Sequence, residues 1–143
     1  MQRKNLWIAL ALIIAGLQLA VCPQWAESAQ SKEKGAKIEP LEEGLNRITL
    51  TEMAAKRLGI ETIPVRSGER EQYVIPYSAV VYGLYGDTWA YTSPKPLVFV
   101  RHRINVESID GELAFLTEGP PVGTQVVTVG VAELLGIEKG IGK

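Results

Sequence analysis

Val106-Glu107-Ser108-Ile109-Asp110-Gly111-Glu112-Leu113-Ala114-Phe115-Leu116 is the stretch on which the fold is decided. Asp-Gly favours the left-handed backbone of a tight turn, and the residues on either side read as strands, so this segment predicts an antiparallel hairpin. Toward the N-terminus the same logic applies at Gly86-Asp87, which separates Val80-Val81-Tyr82 from Thr88-Trp89-Ala90-Tyr91. A second hairpin is predicted there. Ser93-Pro94-Lys95-Pro96 ends its outgoing arm, and Leu97 to Arg103 then alternates, with Val98, Val100 and His102 on one face and Leu97, Phe99 and Arg101 on the other. Toward the C-terminus, Gly119-Pro120-Pro121-Val122-Gly123 forms a rigid loop before Gln125-Val126-Val127-Thr128-Val129, a buried strand closed by Gly130. A turn of helix is expected from Val131 to Leu135.

Upstream, Ile60 to Val65 reads as a strand, with Pro64 marking an edge or a boundary, and Ser67-Gly68 as a turn. Gln72 to Tyr82 is extended with a bend at Pro76. Asn46 to Leu50 partly alternates. Thr51 then offers a helix-capping hydroxyl, Glu52 to Leu58 carries acid first and Lys56 and Arg57 last, and Gly59 is the stop. Short strands punctuated by turns, with no long helix between them, predict an all-β small antiparallel barrel or roll with one or two short helices over residues 46–143.

The first 28 residues have a different character. Arg3 and Lys4 precede an apolar run from Leu6 to about Val21, the pattern of a secretory signal, and Ala26-Glu27-Ser28 offers a cleavage site. Lipidation at Cys22 and retention of the run as a membrane anchor are the competing fates, and each places the domain outside the cytoplasm, in the periplasm or attached to the inner membrane. Residues 29–45, rich in Ser, Lys, Glu, Gly and Pro, are expected to be a flexible linker.

Composition narrows the chemistry. Among 143 residues, 15 Lys and Arg against 16 Asp and Glu give a net charge of −1, which offers no attraction for a polyanion, so nucleic acid is not an expected partner. With Cys22 alone, no intramolecular disulfide or thiolate cluster forms, and with His102 the single histidine, no multi-histidine metal site or Ser-His pair can be named. No Gly-Lys-Ser phosphate loop or dinucleotide fingerprint is present, so neither cofactor nor catalysis is expected. Asp87 and Asp110 each adjoin a turn glycine, and turn chemistry accounts for them. The remaining candidates are a concentration of aromatics, Tyr77, Tyr82, Tyr85, Trp89 and Tyr91, and the basic run Arg101-His102-Arg103. The aromatics fit core and cross-strand packing as well as a ligand groove, and the basic run fits the solvated face of an edge strand as well as contact with an acidic partner or anionic headgroups. Tyr77, Trp89, Tyr91, Arg101 and Arg103 are the partner-binding candidates.

Val74-Ile75-Pro76-Tyr77-Ser78-Ala79-Val80, Gly86-Asp87-Thr88-Trp89-Ala90-Tyr91 and Glu118-Gly119-Pro120-Pro121-Val122-Gly123-Thr124-Gln125-Val126-Val127-Thr128-Val129-Gly130 occur in the order seen in the C-terminal region of bacterial periplasmic adaptors, or membrane fusion proteins. Ile48 to Thr62 resembles the segment opening many adaptors. The chain thus resembles the membrane-proximal region alone, because between Gly68 and Gln72 there is no room for the lipoyl domains and helical hairpin of that family. The resemblance implies a noncatalytic periplasmic protein that binds an inner-membrane transporter of the resistance-nodulation-division type, or other adaptor subunits. The alternative is a small-molecule or metal-responsive binding module using the aromatic groove around Trp89.

Overall fold

The computed structural model describes residues 35–141. Strand β1 (Ala36–Pro40) pairs with β2 (Asn46–Leu50), and α1 (Glu52–Leu58) leads into β3 (Glu61–Pro64), the short β4 (Arg66–Ser67) and β5 (Tyr73–Pro76). β6 (Val81–Tyr82) and β7 (Thr88–Lys95) form one hairpin, β8 (Val98–Asp110) and β9 (Leu113–Glu118) the next, and β10 (Gln125–Val129) runs into α2 (Val131–Glu138). All pairings are antiparallel, in the order β3-β10-β7-β8-β9-β5-β4, with β1–β2 joined to β8 and β6 to β7. The edge strands β3 and β4 are separated only by Val65, so the sheet curls back on one continuous segment and forms a nearly closed barrel. Closure of this kind leaves little free strand edge.

The segments before Gly68 and after Gln72 share this sheet. Arg47, Ile48 and Thr49 of β2 pair with Val100, Phe99 and Val98 of β8, and β3 pairs with β10. The short helix forms as its local signals dictate: Thr51 Oγ1 accepts from the Ala54 N–H at 3.2 Å, and Gly59 adopts the left-handed conformation at φ 62° that terminates it.

Strand alternation sends neighbouring residues of β7 and β10 into two different cores. Ala90 and Val126 join Val65, Ile75, Ala79, Ile104, Ala114 and Leu116 inside the barrel. Tyr91 and Val127 instead join Ile48, Leu50, Val81, Phe99 and Leu134 on the outer side, beneath the β1–β2 hairpin and the two helices. Each fully buried aliphatic chain contributes on the order of 1.5–3 kcal/mol relative to exposure.

Four expectations are corrected. Of the linker predicted over 29–45, residues 29–34 lie outside the described residues, and Ala36 to Pro40 is a strand in register with Asn46 to Leu50, where Glu39 lies 2.7 Å from Lys37 on its own strand and 3.7 Å from its cross-strand partner Arg47. The charged and small residues around it concealed a five-residue alternation, in which Ala36 packs against the outer core and Lys37 and Glu39 carry the charge. β7 runs through Ser93-Pro94-Lys95, and the turn falls at Pro96-Leu97, with Leu97 left-handed at φ 64° and its carbonyl accepting from the Leu50 N–H. Leu97 therefore lies outside the alternating strand. β8 is one strand of 13 residues rather than two, and α2 extends a turn past Leu135 to Glu138. The signal segment 1–28 and Cys22 lie outside the described residues.

Candidate functional site

β7 and β8 set Trp89 opposite Arg103 and Tyr91 opposite Arg101, so alternation places all four on one face of the sheet. The two arginines then take different roles. Arg101 lies 4.8 Å and Arg103 5.9 Å from the Trp89 ring centroid, so the indole carries cation–π contacts from both. Arg101 continues inward to Glu138, whose carboxylate it meets at 2.9 Å, while Arg103 stays exposed.

Tyr91 is the candidate that the structure removes from the surface. Its side chain is fully buried, and its hydroxyl donates to Glu138 Oε2. Burial, and then the Glu138 carboxylate, push the Tyr91 phenol up from its ordinary value. Period-two alternation identified its face but not the helix that covers it. Glu138 carries no recognisable signal in the sequence. Its side chain is 0 % exposed, and it accepts from Tyr91, Arg101 and Asn46 Nδ2, joining α2 to β7, β8 and β2.

At the other end of β7, Asp87 does more than fill a turn. Its carboxylate accepts from the Trp89 indole N–H and from the backbone N–H groups of Tyr85 and Asp87, and it lies where a side chain on Gly83 would sit. The indole bond, seconded by the backbone donors, lowers the Asp87 carboxyl below its ordinary value. Asp87, Thr88, Arg103, Asn105 and Glu118 line a polar recess of about 530 Å3 beside this turn.

Tyr77 lies apart from that face. It lines an open groove of about 540 Å3 between β3 and β5, with Ile63, Val74, Ile75 and Leu113 beneath and Arg66 and Glu112 also lining it. A hydrogen bond with Tyr77 raises the Tyr82 phenol above its ordinary value, so these two tyrosines meet. His102 is an exposed strand residue. Arg101-His102-Arg103 lies on β8, which has neighbours on both sides in the sheet order, and not on the edge strand that its polarity suggested.

Among the described residues no group of three His, Cys, Asp or Glu is placed to hold a metal ion, and no helix is long and apolar enough to cross a membrane. No protein-family model, curated protein or solved structure matches this chain.

Proposed function

We propose that this chain is a noncatalytic protein of the bacterial envelope, related to the membrane-proximal part of efflux-pump adaptors, that binds an inner-membrane transporter of the resistance-nodulation-division type or its assembly. One observation carries the reading. An adaptor lacking its lipoyl and helical-hairpin domains requires its first and last segments to complete each other, and here β2 pairs with β8 and β3 with β10 across the Gly68–Gln72 junction. The three adaptor-like segments after that junction supply residues of β5, β7 and β10 of the same sheet.

Contact would centre on Trp89 and Arg103. Trp and Arg dominate interface energetics where a partner can desolvate them, and the bond that the Trp89 indole N–H donates to Asp87 holds the ring in place before any partner arrives, which lowers the ordering cost of association. The alternative of a metal-responsive module has no donor cluster behind it among the described residues.

The test is recovery of a transporter with the tagged full chain from solubilised envelopes. Arg103→Glu reverses an exposed charge without opening a core, so it is expected to abolish recovery while leaving the melting temperature unchanged. Failure of the unaltered chain to retain any inner-membrane transporter overturns the proposal.

A further inference from the structure

The β6–β7 turn presents two large apolar side chains directly to solvent, Leu84 at 97 % and Tyr85 at 96 % exposure. A flexible loop would fold such residues back. This one is held open by Gly83 N–H bonding to the Asp87 carbonyl at 2.7 Å, by Gly86 N–H bonding to the Gly83 carbonyl at 3.3 Å, and by the Asp87 carboxylate in its base. The result is a rigid apolar knob, and an exposed apolar feature fixed in place marks an association surface.

An open groove lies on the same molecule. The groove between β3 and β5 has the volume of a site for a drug-sized ligand, enough for two side chains, and its floor is Ile63, Val74, Ile75 and Leu113. Knob and groove are neighbours. Tyr77 lines the groove and opens the short turn, closed by the Val80 N–H on the Tyr77 carbonyl at 3.0 Å, that runs directly into β6, whose last residue Tyr82 precedes the knob. A knob beside its own complementary hollow cannot enter it within one chain, but two copies related by a two-fold axis can exchange knobs reciprocally. That arrangement closes as a dimer instead of growing into a filament.

We propose that a second copy of this chain covers this surface, with Leu84 and Tyr85 of each copy seated in the groove between β3 and β5 of the other. The charge balance allows it. A net charge of −1 gives little repulsion between copies, and the groove presents one cation, Arg66, and one anion, Glu112, so like surfaces meet with both signs available. The area is sufficient as well. Leu84, Tyr85, Tyr82, Tyr77 and Leu113 together expose on the order of 600 Å2 per copy, so pairing would bury about 1,200 Å2, the lower bound for specific stable interfaces.

The experiment uses the full chain in cells. A photo-crosslinking residue in place of Tyr85 is expected to give an adduct with the mass of two chains, and peptide mapping should locate it in residues 61–66, 73–78 or 111–113 of the second copy. Copies bearing different affinity tags then test reciprocity. Leu84→Ser with Tyr85→Ser removes the knob, and Leu113→Arg, at a part-exposed position, blocks the groove. Each variant should lose self-association at unchanged melting temperature. Co-expressed, the knobless and blocked variants should be recovered together, because one complete knob-and-groove contact survives between them. Failure of that mixed pair to associate overturns the proposal, as does an adduct with lipid or with a chain of another mass. The mixed-pair recovery contains no transporter and both partners keep Arg103, so its outcome is read separately from transporter recovery, although Arg103 lines the recess beside the same turn.

Discussion

The two cores of this domain are built on opposite principles. Inside the barrel, Ile75, Ala90, Ala114, Leu116 and Val126 are fully buried and purely apolar, and the sheet supplies most of the wall, with Val65 and Ala79 of the connecting turns completing it. Outside it, Leu134 and Tyr91 lie beside a buried carboxylate, and a two-turn helix and a hairpin complete the enclosure. The inner core depends on shape and tolerates only matching volumes. The outer core depends on direction as well, since Glu138 is satisfied in one placement of α2 alone. A buried ion pair is weak evidence for net stability but a strong constraint on geometry once its hydrogen bonds are complete.

The comparison can be broken by experiment, beginning where the effect is largest. Glu138→Ala leaves Arg101 and the Tyr91 hydroxyl without their acceptor, and chemical denaturation should record a loss of about 3–5 kcal/mol. Combining Glu138→Leu with Arg101→Met removes both charges and should recover most of that loss in the same measurement, although the Tyr91 hydroxyl remains unpaired. If the double variant is as unstable as the single one, directionality is not what distinguishes the outer core.

Leu116→Ala tests the inner core by volume alone and should cost about 3 kcal/mol, with no polar partner able to restore it. Thr51→Ala removes the cap of the helix that covers the outer core and should cost about 1 kcal/mol by the same assay.

The smallest effect is confined to the turn. Because the Asp87 carboxyl is lowered in the folded chain, its contribution is complete above the ordinary carboxylate value of about 4 and disappears as pH falls through the lower folded value. The Trp89 indole N–H resonance should therefore hold its position down to that ordinary value and move only in stronger acid. Movement near neutrality would show that another group controls the turn.

Much of this architecture is local and could be read directly. Thr51 caps a donor three residues away, Gly59 ends the helix it follows, and Asp110-Gly111 needs only its own backbone to make a turn. The strand over Ala36–Pro40 is hard to read because its alternation is only five residues long, and what holds it is its pairing with Ile48 and Leu50 on the partner strand. Tyr91, a partner-contact candidate in the sequence, proves buried for a related reason. Alternation distinguishes two faces of a strand, yet both faces of β7 are covered, one by the barrel and the other by α2. The candidate site divided accordingly: Trp89 and Arg103 are accessible together, Arg101 is drawn inward, and Tyr77 belongs to a separate groove.

Sequence alone therefore determined the Gly86-Asp87 and Asp110-Gly111 hairpins, the capped helix and the antiparallel class, since each follows from interactions over a few residues. Tertiary structure alone decided that the sheet curls into a barrel with a core on either side, that Glu138 gathers Asn46, Tyr91 and Arg101, and that Leu84 and Tyr85 project beside an open groove. Those contacts join residues as many as 92 positions apart, and their energies depend on which surfaces are withdrawn from water when the sheet closes.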